Sequence, residues 1–135
     1  PTMIEQGSGT IVHISSIQRL MPLPEATTAY AAAKAALSAY SKSLSKEVGP
    51  KGIRVLRVAP GWIKTPMNAP LLAHETASQR VVDRVPLSRW GEVSDVVGPV
   101  MFLSSESASY ITGHVIPVDG GAAAVIQLTD DTVIR

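Results

Sequence analysis

The chain has 135 residues, is 45% hydrophobic and 17% charged, carries a formal net charge of +1 and contains no cysteine. That is the length of a single domain able to bury a core, with too little charge for a disordered tail and too small a net charge to attract nucleic acid or an anionic membrane. Without cysteine, disulfides and thiolate metal sites are excluded.

Thr10-Ile11-Val12-His13-Ile14-Ser15 is short, rich in β-branched residues and preceded by Gly7-Ser8-Gly9. It reads as a strand over residues 10–15 entered from a turn. Its nearly continuous apolar run, rather than strict alternation, predicts cover on both faces, as in a parallel sheet. Pro22 and Pro24 then exclude regular helix from the following loop. Residues 28–48 contain neither Gly nor Pro and end at Gly49-Pro50, a strong stop signal. At about 100° per residue, Tyr30, Lys34, Leu37, Ser41, Leu44 and Val48 share one stripe of this predicted helix. Ala32, Ala35, Ala36 and Ala39 line the far side, small enough for another helix to approach closely.

Ile53-Arg54-Val55-Leu56-Arg57-Val58 predicts a second strand, closed by Ala59-Pro60-Gly61. Residues 65–86 are mixed, with short helix expected within 71–85. Val93, Val96, Val97, Val100 and Met101 keep helical spacing, so a helix is expected over 93–103, with Pro99 removing one of its hydrogen bonds. His114-Val115-Ile116-Pro117-Val118 predicts a third strand before Asp119-Gly120-Gly121. Strands alternating with helices argue for a parallel α/β sheet with right-handed crossovers. No run approaches the ~18 apolar residues of a membrane span. The opening Pro1-Thr2-Met3-Ile4-Glu5 has no basic start or apolar stretch of a secretory signal, so a soluble, cytoplasmic domain is the expectation.

The sequence has no G-x-S-x-G elbow, P-loop or H-E-x-x-H motif. Gly7-Ser8-Gly9 precedes a strand rather than following one, so it reads as a turn and not as a phosphate-binding fingerprint. His13, inside a strand, reads as a satisfied core residue rather than a metal ligand, and His74 and His114 have no nearby partner in sequence.

Ser16, Tyr30 and Lys34 form the constellation with chemical content. Tyr30 and Lys34 stand at i and i+4 and reach the same space. A phenol is a poor base at neutral pH, and an adjacent ammonium favours its phenolate. Ser16 follows a parallel strand at its carboxyl end, where open α/β sheets place their ligands. Taken alone, a Tyr-x-x-x-Lys spacing also describes helix packing beside a snorkelling lysine. A hydrolase using Ser16 with a histidine is a remoter alternative, since no motif places a histidine beside it.

The surrounding sequence narrows these readings. Gly9-Thr10-Ile11-Val12-His13-Ile14-Ser15-Ser16, followed by Tyr30-Ala31-Ala32-Ala33-Lys34, resembles the short-chain dehydrogenase/reductase family. So do Pro60-Gly61-Trp62-Ile63-Lys64-Thr65, Pro86-Leu87-Ser88-Arg89-Trp90-Gly91-Glu92-Val93, and Ile111-Thr112-Gly113 through Asp119-Gly120-Gly121, in the same order. The resemblance covers nearly the whole chain. It implies an α/β fold that is the C-terminal half of a Rossmann-type doubly wound parallel sheet. It also implies hydride transfer between NAD or NADP and a small alcohol or carbonyl substrate. By the same resemblance Tyr30 is the general acid/base, Lys34 favours its phenolate and binds the nicotinamide ribose, and Ser16 orients the substrate oxygen. Pro60, Gly61, Ile63 and Thr65 hold the nicotinamide end.

Residues 67–85 become a substrate lid whose Met67, Leu71 and Leu72 imply a partly apolar site. The helix over 30–48 becomes the interface of a homodimer or homotetramer. Ser16 and Tyr30 are fourteen apart, slightly more than in many family members, which implies a bulged loop between them. The family's Gly-rich phosphate loop, its cofactor-selecting residue and its catalytic Asn have no counterpart here; by the βαβαβ layout they occupy roughly 100–120 residues ahead of Pro1. Residues 1–135 are thus expected to be one partial domain with an exposed first-strand edge, poorly stable and inactive alone. A non-catalytic fragment acting only through association is the rival expectation.

Overall fold

The computed structural model describes residues 1–20 and 27–124; Pro22 and Pro24 lie outside the described residues. A short helix α1 (Thr2–Gln6), not foreseen from the sequence, precedes strand β1 (Gly9–Ile14). Gly7 joins them in the left-handed conformation at φ 66°, as expected of a turn glycine. Helix α2 (Thr28–Val48), β2 (Ile53–Pro60), the short helices α3 (Ala69–Ala73) and α4 (Glu75–Asp83), α5 (Val93–Ser104) and β3 (Val115–Val118) follow.

All pairings are parallel in the order β1-β2-β3, with Gly9 opposite Ile53 through Ile14 opposite Val58, and Arg57 opposite Val115 through Pro60 opposite Val118. The outer edge of β1 has no strand partner among the described residues. Side-chain alternation divides the sheet cleanly. Ile11, Ile53 and Val55 pack against Leu44 and Val48 of α2, whereas Val12, Leu56, Val58, Ile116 and Val118 pack against Val96, Val100 and Leu103 of α5. Helices therefore cover opposite faces, the doubly wound arrangement, and the central strand is buried on both. β1, whose nearly continuous apolar run predicts cover on both faces, is packed on both, with Ile11 against α2 and Val12 against α5.

Helix α2 has the boundaries that its Gly/Pro-free run predicts, and its Ala32, Ala35, Ala36 and Ala39 are exposed. After it, Gly52 adopts φ 75°, and a Cβ there would collide with the Gly7 carbonyl, so the turn into β2 requires glycine. The 71–85 segment breaks into two helices at His74. The ring Nδ1 of His74 accepts a hydrogen bond from Ala77 N and so caps α4. Helix α5 begins with a reciprocal capping box between Glu92 and Asp95 and continues through Pro99. Its last carbonyls receive Arg54, whose Nη1 donates to Leu103 O at 2.8 Å and Nη2 to Ser105 O at 3.2 Å. Two strand ends fall one residue inside expectation: Ser15 follows β1, and His114 precedes β3, although Ser15 N still donates to Val58 O and Arg57 N to His114 O.

Candidate active site

The carboxyl ends of β1 and β2 and the amino end of α2 meet at one place. Ser16 is extended (φ −162°, ψ 154°) and only 7% exposed. It caps a 3-10 turn over Ile17–Arg19, its Oγ accepting from Gln18 N at 3.2 Å. Because Oγ accepts there, its own hydrogen stays available to a ligand. Tyr30 and Lys34 lie on successive turns of α2, and Lys34 Nζ stands 5.5 Å from the centroid of the Tyr30 ring. The same ammonium donates to the main-chain oxygen of Ile14 at 2.8 Å. This uses one of its three donors and leaves two.

Opposite, β2 ends at Pro60. Gly61 N donates to Val118 O at 3.0 Å, and a Cβ on Gly61 would stand 2.8 Å from both Cα and Cβ of Asp119. Only glycine fits that approach. Ile63 is buried and bridges to Gly91, with Gly91 N donating to Trp62 O and Lys64 N to Gly91 O. Asn68 Nδ2 closes the turn onto Ile63 O at 2.7 Å. Two ion pairs brace this loop region from outside: Lys64 with Glu92 at 2.6 Å, and Arg89 with Asp95 at 2.7 Å. The Arg89 hydrogen bonds, followed by that from Glu92 N, hold the Asp95 carboxyl down at about 2.

Two cavities meet at Ser16 and Tyr30. One, of about 480 Å³, is lined by Ser16, Tyr30, Lys34, Pro60, Gly61, Ile63 and Thr65 together with Ile14 and Val96. It therefore brings together all seven residues singled out from the sequence, and Lys34 is the one charged side chain among its described lining residues. The other, of about 390 Å³, also holds Ser16, Tyr30 and Gly61 but runs towards Gln18, Trp62, Met67 and Leu71. Leu72 does not line either cavity. Gln18, Trp62 and Asn68 escaped the sequence reading. Trp62, an aromatic directly after the Pro-Gly step at a strand end, was the one with a usable signal. No histidine lines either cavity among the described residues, which leaves Ser16 without the base a hydrolase needs. His13 is engaged elsewhere, with Ser41. No group of three or more metal-ligating side chains occurs among the described residues.

A strand-end serine, a tyrosine and lysine one helical turn apart, and a Pro-Gly loop facing them across one cavity are the arrangement expected of the family named above. The family model described as Enoyl-(Acyl carrier protein) reductase matches residues 1–123. The chain belongs to the short-chain dehydrogenase/reductase family. It is 42% identical over 121 residues to the 3-oxoacyl-[acyl-carrier-protein] reductase FabG of Thermotoga maritima, covering 90% of this chain and 48% of that protein. The crystal structure of a gluconate 5-dehydrogenase from Burkholderia cenocepacia, in complex with NADP and tartrate, superposes with a TM-score of 0.89 at 31% identity, covering 93% of this chain and 49% of that one. A 4-hydroxyisoleucine dehydrogenase complexed with NADH gives 0.88 at 32% identity over 93% of this chain and 51% of that one. The chain spans about half the length of the curated relatives it matches. The sheet is of the Rossmann type found in these dehydrogenases.

Proposed function

We propose that this chain is the catalytic and substrate-binding half of an NAD- or NADP-dependent oxidoreductase acting on a small secondary alcohol or ketone. The observation that carries this reading is the meeting of two cavities at Ser16 and Tyr30. One is wide enough for a nicotinamide and its ribose and presents the free donors of Lys34; the other is lined by Trp62, Met67 and Leu71. The family's cofactor supplies or accepts the hydride. Lys34, anchored on Ile14 O, offers its remaining two donors to ribose hydroxyls and stabilises the phenolate of Tyr30. Tyr30 gives a proton to the substrate oxygen in the reducing direction and removes it in the oxidising one. The free hydroxyl hydrogen of Ser16 holds that oxygen in place. The main chain around Pro60, Gly61 and Ile63, with the Thr65 hydroxyl, holds the nicotinamide end. The family's remaining half would supply the adenosine pocket, and its sheet would cover the edge of β1 that has no strand partner among the described residues. The exposed alanine face of α2 supports assembly as a homodimer or homotetramer.

The whole native polypeptide is expected to bind NADH or NADPH and to oxidise it in the presence of a small ketone, measured by loss of absorbance of the reduced cofactor. A non-catalytic fragment that acts only by association is the competing reading, favoured by the outer edge of β1, which has no strand partner among the described residues. It predicts neither cofactor binding nor turnover, so absence of both overturns the enzymatic reading.

A further inference from the structure

The face of the sheet beneath α2 changes character along its length. Toward the start of the strands it is apolar, with Ile11, Ile53 and Val55 under Leu44 and Val48. Toward the active site it becomes polar, through His13, Ser15 and Arg57 under Ser38 and Ser41. Arg57 is 6% exposed and lies in the central strand. It meets no carboxylate within ion-pair distance among the described residues. Its Nη1 donates to Ser38 O at 2.7 Å and its Nη2 to Gly113 O at 2.8 Å, while Nε is buried with no hydrogen-bond partner among the described residues. Burial, and secondarily the charge of Arg19, lower its proton affinity. A buried cation held only by carbonyls is a costly way to fill space compared with an apolar residue.

The directions of the neighbouring bonds show what this arrangement fixes. Ser38 Oγ donates to Lys34 O at 2.9 Å, so its single hydrogen is committed and Ser15 must be the donor in the 3.3 Å Ser15–Ser38 contact. Ser41 Oγ likewise donates to Leu37 O at 2.7 Å, so His13 Nδ1 carries the hydrogen of the 2.8 Å bond to Ser41. The Arg57–Ser38 and His13–Ser41 bonds join β2 and β1, and the Ser15–Ser38 bond joins the residue after β1, to the turns of α2 directly after Lys34. Apolar packing alone tolerates small sliding; directional bonds at these spacings do not.

We propose that Arg57 is a positioning residue for the proton-transfer pair, setting the register of α2 on the sheet through Ser38 and thereby placing Tyr30 and Lys34 relative to Ser16. This rests on the catalytic reading above. One residue of helix slip is about 1.5 Å, and a misplacement of about 1 Å costs on the order of 100-fold in rate.

The test uses the whole native polypeptide, with kcat, KM and Tm measured for Arg57→Met, Arg57→Lys and Arg57→Gln well below each Tm. Arg57→Met is expected to lower kcat at least about tenfold with KM for the carbonyl and the cofactor little changed. Arg57→Lys, which keeps a cationic donor at the same strand position, is expected to recover most of that loss. Arg57→Gln, which is neutral and too short to span Ser38 O and Gly113 O together, is expected to lower kcat severalfold with the same unchanged KM. If Arg57→Met does not fold, the other two variants decide. An Arg57→Gln protein with wild-type kcat, or an effect confined to Tm or to KM, overturns the positioning role. Measuring Tyr30→Phe in parallel keeps the two claims apart. An active Tyr30→Phe overturns the catalytic reading, whereas an inactive one beside an unaffected Arg57→Gln overturns only the role of Arg57.

Discussion

Lys34 Nζ donates a 2.8 Å hydrogen bond to the main-chain oxygen of Ile14, the last residue of β1 and two residues before Ser16. One side chain thus ties the helix that carries Tyr30 to the strand end that carries Ser16. The bond fixes the ammonium beside the Tyr30 ring and spends only one of its donors. Lys34→Met keeps most of the aliphatic stem and removes every donor. It is expected to lower kcat by at least about 100-fold and to weaken cofactor binding as well, since the same group faces the cavity shared with Thr65. Steady-state kinetics combined with cofactor titration checks both effects.

Gly61 illustrates a different constraint. Its backbone lies so close to Asp119 that an added Cβ would stand 2.8 Å from two of that residue's carbon atoms. Neither backbone can yield without disturbing the ladder from Gly61 N to Val118 O. Gly61→Ala is therefore expected to destabilise the fold by about 1–3 kcal/mol and to weaken cofactor binding, read by denaturant unfolding and by titration with reduced cofactor.

The fold was legible to the extent that it depends on local pattern. The Gly/Pro-free run ending at Gly49-Pro50 marks α2 to the residue, because its boundaries are set by chain chemistry within the segment itself. Tyr30 and Lys34 were legible through helical spacing, and the family's motifs joined them to Ser16 and to the Pro60–Thr65 loop. Arg57 was not. Within Ile53-Arg54-Val55-Leu56-Arg57-Val58 strand alternation puts it on the face opposite Arg54, but which of the two faces lies under α2 is shown only by the packing. Arg54 reaches the carbonyls at the end of α5, whereas Arg57 lies on the opposite face, sealed under α2. The break at His74 was equally hidden, because a histidine ring used as a helix cap leaves no mark in hydrophobic periodicity.

Arg89 and Asp95 make two hydrogen bonds at 2.7 and 3.0 Å, and Asp95 also accepts from Glu92 N. These bonds lower the Asp95 carboxyl from 3.8 to about 2. A carboxylate whose folded value is depressed contributes stability in full above its unfolded value and loses it as the pH falls through the folded one. The contribution of this pair is thus expected to be intact above about pH 4 and to disappear between about pH 4 and pH 2. Because the pair is exposed, salt should weaken it. Comparing the pH dependence of Tm for wild type and Asp95→Asn checks this: the variant should lose less stability across that window.

The central claim is that Tyr30 exchanges the proton at the point where the two cavities meet. It is tested most directly by kcat of Tyr30→Phe in the whole native polypeptide, with cofactor affinity measured on the same preparation. The variant removes a single oxygen and keeps the ring beside Lys34. The account predicts that kcat falls by at least about 100-fold while cofactor binding changes little. Turnover within about twofold of wild type would contradict it, because no catalytic proton would then pass through Tyr30.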